Sequence, residues 1–495
     1  MEGTRKNCLK EIVDWVANVS EENDRLQSNT YWIYGLPGIG KTSLAHSVCA
    51  SLHDQGLLAG AFFCRRDDLD LSEPKFILPT LIYKLAVIFP PFRSKVANRL
   101  RNDPNLRRES MKDSLILDLF QNLPSNPSHF LTFVIDAFDE CGNYRTRPSV
   151  LRLLTSVAAR VSWLKIIITS RPEADIQHSF GQSSHLRYDL ATDQEASNDL
   201  RIFAQSEFDL VAKRLYLPAP WPEESLLNKI ISRANGLFIF IKTLVLDLER
   251  RAKPTDFLKA NAEEAGAGLK PLYALYSNIL NSRIVHSNAE FQRVIGVLLT
   301  VAPYRALCEE TAAELAGVEP NLVKVWVDDL SSLLYRDEGT NGGIRVRHLS
   351  ISDFLISDYC PHNYRINPRD ANVRLGIACL ETMIFQLRFN ICGLEDSRLA
   401  NTEIEGLPSK ITRNISDCLQ YSSLYWSDHL CFTPDNHDRQ VWESLKKFFE
   451  GLCPLFWIEV LSILGMVPLG VPSIRKVISW AKVSPAPTCI QDDSD

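Results

Sequence analysis

A glycine-rich turn between an apolar run and a helical segment constrains the fold of this chain most strongly. The turn reads GLPGIGKT at residues 35–42 and matches the pattern G-x-x-x-x-G-K-[ST] in full. The apolar run TYWIY at 30–34 predicts a buried strand, and leucine and valine spacing over 41–52 predicts a helix. Such a turn aims backbone N–H groups at phosphate oxygens, at the positive end of the following helix. The sequence therefore predicts a phosphate-binding loop rather than a chance glycine turn.

Side chains in and near this loop are expected to hold a nucleoside triphosphate with Mg²⁺. Lys41 is expected to neutralise the β- and γ-phosphates, and the Thr42 hydroxyl to bind the metal. Asp136 ends the apolar run FVI at 133–135 and is expected to be the second metal ligand, because a buried carboxylate needs a partner. The residues predicted to contact the nucleotide are Gly35, Leu36, Pro37, Gly38, Ile39, Gly40, Lys41, Thr42 and Ser43.

Three further charged residues are candidates for hydrolysis of the triphosphate. Asp139 and Glu140 could each orient or polarise the attacking water, or they could cap the next helix. Arg171 follows a predicted strand and is expected to lie near the γ-phosphate, the alternative being an ordinary surface arginine.

Apolar strands alternate with helices as far as residue 190, which predicts a parallel α/β sheet with helices on both faces. The remaining spacing is mostly helical, with a hairpin signal over 334–346 that follows three helices and indicates a winged-helix unit. The predicted domains are a nucleotide-binding domain at 1–190, a helical domain at 191–255, a winged-helix domain with linker at 256–362, a C-terminal helical region at 363–484 and a disordered tail at 485–495.

Composition argues against several other classes of protein. The net charge of −6 disfavours a nucleic-acid partner. The 12 cysteines include no C-x-x-C pair, which indicates reduced thiols rather than zinc sites. The apolar stretch 452–471 contains two prolines and a glutamate, so a buried helix is expected there and no membrane span. The polar N-terminus does not have the pattern of a signal peptide, and a cytoplasmic location is expected.

The series VIDAFDEC at 134–141 resembles the NACHT branch of the STAND signalling NTPases, which have a P-loop of the AAA+ kind. Most AAA+ ATPases place a catalytic glutamate directly after the metal-binding aspartate. Ala137 stands there in this chain, so the resemblance implies that hydrolysis rests on Asp139 and Glu140. The likeness covers most of the chain and is to mushroom-type fungal proteins; it includes residues 62–66, 78–81, 235–238, 389–392, 418–421, 426–430 and 456–462.

The resemblance also implies roles for residues outside the loop. Thr4 and Arg5 would border the adenine pocket, and the motif at 235–238 would approach the nucleotide. The segment RHLSISDFL at 347–355 is similar to the winged-helix motif of apoptosome-type ATPases, whose histidine reaches the β-phosphate of ADP. His348 would then be a latch on the closed state, the alternative being a core histidine with local hydrogen bonds.

The function implied by the resemblance is an NLR-like nucleotide switch in fungal self/non-self recognition (heterokaryon incompatibility), innate immunity or programmed cell death. ADP would hold a closed state, ATP would allow self-association and contact with an unknown protein effector, and slow ATP hydrolysis would reset the switch. The alternatives are a non-catalytic scaffold stabilised by nucleotide and a P-loop kinase. Relatives usually add an effector segment and WD40 sensor repeats, so this chain is expected to be a truncated or short form.

Overall fold

The computed structural model describes residues 5–17, 28–102, 113–121, 123, 125–193, 195–262, 266–284, 288–340, 342–396, 398–432 and 439–483. These residues form two compact units. The first runs through Tyr276 and includes His348–Ser350; the second comprises Ser277–Arg347 and the chain from Ile351 onward. The finer division into four domains stays a prediction, and the tail predicted at 485–495 lies outside the described residues.

The first unit is built on a sheet that has five parallel strands among the residues described. The strands are β1 (Thr30–Tyr34), β2 (Leu58–Phe63), β3 (Leu131–Asp136), β4 (Leu164–Ser170) and β5 (Leu186–Asp189). Their spatial order is β2-β3-β4-β1-β5, which confirms the α/β class predicted from the sequence. Because parallel strands end at one edge of the sheet, the loops after β1, β3 and β4 meet there.

Burial explains why these strands read as continuous apolar runs. Every residue of β3 and of β4 is buried, since helices cover the sheet and leave no face to solvent. The sheet core includes Phe133, Ile135, Ile166 and Ile168, each almost fully removed from water. Burying a side chain of this size stabilises the fold by about 1.5–3 kcal/mol. Such a sheet is a rigid base for the loops at its edge.

Helices surround and follow the sheet. In chain order they are α1 (Lys6–Ala17), α2 (Lys41–Asp54), α3 (Ile77–Ile88), α4 (Pro90–Asn102), α5 (Asp113–Phe120), α6 (Arg147–Arg160), α7 (Ala174–Gly181), α8 (Ala196–Arg214), α9 (Glu224–Ala234), α10 (Phe238–Leu248), α11 (Pro254–Ala260) and α12 (Lys270–Arg283). The buried ammonium of Lys165 in β4 donates to the backbone carbonyl of Trp15, near the end of α1. This contact holds α1 against the sheet.

The remaining elements are mostly helical, as the sequence predicts. They are α13 (Asn288–Val301), α14 (Glu309–Ala316), α15 (Pro320–Asp329), β6 (Leu334–Asp337), β7 (Gly343–Val346), α16 (Leu349–Ile356), α17 (Pro368–Gln386), α18 (Leu407–Asn414), α19 (Asp417–Leu430), α20 (Arg439–Glu450), α21 (Cys453–Ile463) and α22 (Gly470–Val483). Strands β6 and β7 form the antiparallel hairpin expected behind three helices. None of the helices described has both the length and the apolar character needed to cross a bilayer.

A buried polar cluster joins α17 to α19 in the second unit. The Tyr421 hydroxyl lies 2.7 Å from Nε2 of His429, and the ring Nδ1 lies 3.1 Å from the Asn372 side-chain oxygen. The Asn372 amide nitrogen donates to the Pro368 carbonyl, so its oxygen faces the ring and Nδ1 carries the proton. Burial lowers the pKa of His429 to about 3. The ring is therefore neutral and structural.

Candidate nucleotide-binding site

The glycine-rich loop leads from β1 into α2 with a backbone that two of its glycines make possible. Gly38 has φ = 78° and Gly40 has φ = 101°, in the left-handed region where a residue without a β-carbon is unstrained. Gly40 is also the N-cap of α2. A β-carbon on Gly38 would lie only 2.0 Å from Cγ2 of Ile239. The loop thus leads directly into the N-terminus of α2. Free backbone N–H groups at such a helix start can bind phosphate.

Lys41 lies in the first turn of α2 and is 9% exposed. Its ammonium donates to the carbonyl oxygens of Gly35 at 2.9 Å and Leu36 at 3.0 Å. Burial lowers the pKa of Lys41 to about 8, although the nearby charge of Asp139 acts in the opposite direction. Both hydrogen-bond partners are loop carbonyls, so a phosphate can replace them without breaking an ion pair.

Asp136 lies at the end of β3 and meets Thr42 from α2. Its Oδ1 accepts a hydrogen bond of 2.5 Å from the Thr169 hydroxyl, and the Thr42 hydroxyl is a second partner of the carboxylate. Burial raises the pKa of Asp136, and both hydroxyls oppose that rise. No sequence motif marks Thr169, although a hydroxyl in a strand as apolar as β4 is a usable signal.

The oxygens of Thr42 and Asp136 are of the type that Mg²⁺ prefers, with nucleotide phosphates and water as the other ligands. The described part of the chain contains no group of three or more His, Cys, Asp or Glu side chains placed to hold a metal ion. Thr42 and Asp136 supply two oxygens, which suits a metal that arrives with a nucleotide and would neutralise its phosphate charge.

The chain turns sharply after Asp136. Ala137 has φ = 52°, which an alanine adopts at a cost of about 1 kcal/mol. Its N–H donates to the Thr169 hydroxyl at 3.0 Å, and this bond helps to hold the turn. A short 3₁₀ helix, Phe138–Glu140, follows directly and carries both candidate acids. Neither acid caps a helix, because Ala137 is the N-cap of this element and Thr146 that of α6.

Both carboxylate oxygens of Asp139 contact Arg171. One carboxylate oxygen accepts the Arg171 backbone N–H at 2.9 Å, and the other lies 3.2 Å from Arg171 Nε. Asp139 is 4% exposed, so both oxygens are held away from bulk water. This geometry makes Asp139 a positioning residue that orients Arg171 at the end of β4.

Glu140 has a different environment. Burial raises the pKa of its carboxyl to about 7, with a further rise from the charge of Asp139. The Arg66 side chain and backbone oppose that rise. A carboxylate that gains and loses a proton near neutral pH is suited to take a proton from water. Of the two acids, Glu140 is the better candidate for a general base.

Arg147 was not found by sequence reasoning, yet it joins the loops after β3 and β4. Its guanidinium donates to the Asp139 carbonyl at 2.8 Å and pairs with Glu173 at 2.6 Å and Asp175 at 3.1 Å. Its side chain is 8% exposed. No motif marks an arginine at the start of α6, and its partners are distant in the sequence. Arg147 fixes the loop that carries Arg171.

Arg5 connects the N-terminal segment to the phosphate loop. Its guanidinium pairs with Asp193 at 2.6 Å and donates to the Ile39 carbonyl at 3.3 Å, while its backbone N–H donates to Asp199 at 2.8 Å. Arg5 and Ser43 line a small cavity beside the first turn of α2. Arg5 therefore supports the loop from outside; Thr4 lies outside the described residues.

Two elements from beyond the sheet reach Gly38. The Ile239 N–H, at the start of α10, donates to the Gly38 carbonyl at 3.2 Å. Cε1 of His348 lies 3.8 Å from the position of a Gly38 β-carbon. Nδ1 of His348 accepts the Ser350 N–H at 3.1 Å, so Nε2 is the donor nitrogen of the neutral ring. His348 thus combines a local hydrogen bond with a place beside the phosphate loop.

Comparisons with known proteins place this geometry in context. The family described as Nephrocystin 3, N-terminal, matches residues 9–171, which contain the loop, Asp136, the acid pair and Arg171. Over 516 residues the chain is 25% identical to the vegetative incompatibility protein HET-E-1 of Podospora anserina. That alignment covers 97% of this chain and 37% of HET-E-1, so the chain spans well under half of that relative.

Two solved structures also match this chain at low sequence identity. One is the Walker-type ATPase PABY2304 of Pyrococcus abyssi, with 13% identity, a TM-score of 0.33 and coverage of 71% of this chain and 95% of that one. The ORC1 protein of Aeropyrum pernix, in complex with DNA, has 13% identity, a TM-score of 0.31 and coverage of 72% and 92%. The sequence matches, the P-loop and the parallel sheet support similarity to fungal NACHT-type proteins and the assignment of this chain as a nucleotide-binding NTPase.

Proposed function

We propose that this protein is a nucleotide-dependent switch of the STAND type that binds ATP or ADP with Mg²⁺. The observation that carries the proposal is the meeting of three elements at Gly38: the phosphate loop, the N-terminus of α10 through Ile239, and His348. A phosphate bound to this loop lies within reach of groups from outside the sheet. Their positions can then depend on the number of phosphates.

The residues divide the work of nucleotide binding and hydrolysis. Lys41 neutralises the phosphates, while Thr42 and Asp136 hold Mg²⁺. Glu140 takes the proton of the attacking water, and Arg171, oriented by Asp139, contacts the γ-phosphate. The catalytic residues are Glu140 and Arg171, and Asp139 positions Arg171. Hydrolysis is slow and returns the protein to the diphosphate state.

A switch requires that the two nucleotides bind the two states of the protein with different affinities. His348 contacts the β-phosphate of ADP and favours the closed state, and Arg171 favours ATP. The ATP state self-associates and contacts a protein effector, in the cytoplasm and with no nucleic-acid partner. HET-E-1 is named as a vegetative incompatibility protein, and a role in fungal incompatibility is proposed here by similarity.

The first test identifies the nucleotide that the protein retains. The protein is purified without added nucleotide, denatured, and the released nucleotide is measured by chromatography. We expect near-stoichiometric ADP from the wild type, none from Lys41→Ala and much less from His348→Ala. His178→Ala, a change at an exposed histidine on α7, is the matched control and should retain ADP.

Each outcome of this test has a defined meaning. Equal ADP retention by wild type and His348→Ala would refute the latch role of His348. Retention by Lys41→Ala would refute the assignment of the phosphate site. Bound nucleotide without turnover of added ATP would favour a nucleotide-stabilised scaffold over a switch.

A further inference from the structure

A second cavity lies in the second unit, between α13, α14, α17 and the segment that joins α16 to α17. Its volume is about 300 Å³, at the lower end of the range for small-molecule sites. Its polar side chains are Gln292, Arg293, His362, Arg365, Asn367, Asp370 and Arg374. The proposed nucleotide switch does not use this cavity.

The arginines of the cavity outnumber its carboxylates. Three arginines, Arg293, Arg365 and Arg374, line the cavity together with one acid, Asp370. Nε of Arg293 is buried and has no hydrogen-bond partner among the described residues. A buried donor without a partner destabilises a fold, so a bound acceptor at this position is favourable.

Nearby acids do not neutralise these arginines. The ion pairs found among the residues described include neither Arg293 nor Arg374. Arg365 pairs with Asp358 at 2.6 Å, but the Asp358 side chain is 99% exposed. An ion pair so open to water contributes little and is easily exchanged. The cavity therefore carries a positive charge that an anion can use.

The walls of the cavity are held in place by contacts between α13 and the segment before α17. The Gln292 amide donates to the carbonyl oxygens of His362 and Arg365, both at 3.0 Å. A β-carbon on Gly296 would lie 3.4 Å from Cβ of Ala371, so α13 and α17 pack closely. The Asn367 side chain caps α17. The cavity is a built feature of the unit rather than a gap between loose side chains.

The other walls are apolar, formed in part by Val297, Leu315 and Leu375. A ligand that matches both the arginines and the apolar wall carries a doubly charged oxyanion and a small apolar group. Phosphate suits two guanidiniums without ion pairs better than a singly charged carboxylate does. We propose that this cavity binds a small soluble phosphomonoester, with its phosphate on Arg293 and Arg374 and its apolar body against Val297 and Leu375.

The test uses phenyl phosphate as the probe and isothermal titration calorimetry as the assay. The full chain is titrated as wild type and as Lys41→Ala, so that the phosphate loop cannot account for binding. We expect saturable binding in both proteins. Arg293→Gln and Arg374→Gln should each weaken it about tenfold or more, as expected for a charged hydrogen bond. Arg413→Gln, at an exposed arginine outside the cavity, is the matched control and should bind as wild type does.

Thermal unfolding of each variant shows whether the second unit remains folded. The proposal is overturned if no saturable binding occurs at millimolar phenyl phosphate, or if folded Arg293→Gln and Arg374→Gln bind as tightly as Arg413→Gln. Loss of binding in Lys41→Ala alone would assign the signal to the phosphate loop and overturn it too. Binding to vesicles containing phosphatidylinositol 4-phosphate, without binding of phenyl phosphate, would refute the proposal that the ligand is soluble and would indicate a lipid headgroup.

Discussion

Replacement of Glu140 by glutamine should stabilise the nucleotide-free protein while it removes activity. Burial raises the pKa of Glu140 from its ordinary 4.5 to about 7. Each pKa unit corresponds to about 1.36 kcal/mol, so the ionised carboxylate costs the folded state about 3 kcal/mol. Glutamine keeps the shape of the side chain and carries no charge. The residue proposed as the general base is therefore one that the fold holds at a cost.

The sign of the effect follows from proton binding. Between pH 4.5 and about 7 the folded protein holds a proton on Glu140 that the unfolded chain releases, so stability falls as pH rises through this window. Glu140→Gln should therefore raise the free energy of unfolding by about 3 kcal/mol at about pH 8 and by only about 1 kcal/mol at about pH 5. Urea denaturation at the two pH values measures both quantities.

The neighbouring acid is the control. Asp139→Asn removes the charge that faces Arg171 and should lower the free energy of unfolding by about 1–3 kcal/mol. ATP hydrolysis by Glu140→Gln should fall by about 10²–10⁴-fold, the contribution typical of a general base. A stability change independent of pH would refute the reasoning about burial, and an unchanged hydrolysis rate would refute the role of Glu140.

Three other measurements test separate parts of the structure. ATP affinity should fall about tenfold per pH unit above about pH 8, because the buried Lys41 ammonium then loses its proton. Calorimetry from pH 7 to pH 9.5 should show this fall for the wild type and none for Lys41→Arg. Gly38→Ala should lower the free energy of unfolding by about 1–3 kcal/mol more than Gly56→Ala does, because both glycines have φ above 60° but only Gly38 faces Ile239. Equal losses in urea denaturation would contradict this. Acidification from pH 7 to pH 5 should lower the free energy of unfolding by about 2 kcal/mol, because His429 binds a proton near pH 6.5 in the unfolded chain but not in the folded protein. His429→Gln should abolish that part of the pH dependence of stability.

Local patterns account for the parts of the fold and site that the sequence predicted. The strands read as uniform apolar runs because the sheet is covered on both faces. The glycines at 38 and 40 mark backbone angles that other residues avoid. An acid at the end of such a run marks the sheet edge, and Asp136 lies there. Each of these signals lies within a few residues of the feature that it predicts.

Contacts between distant segments account for what the sequence left open. The difference between Asp139 and Glu140 depends on Arg171, which belongs to another loop. Arg147 and Ile239 carry no motif, because their partners lie elsewhere in the chain. The residue spacing over 321–334 predicts one helix, but α15 ends at Asp329 and the chain is in strand β6 from Leu334. Helical spacing there continues into a segment that pairs with β7 instead.

The contact between Gly38 and Ile239 has a consequence for protein engineering. The phosphate loop and the start of α10 share a hydrogen bond and a surface so close that a single methyl group would not fit between them. A chimaera that takes the loop from one relative and α10 from another would bring together two surfaces that do not fit each other. Transplanting the nucleotide site therefore means moving residues 35–42 and 235–239 together, as one cassette.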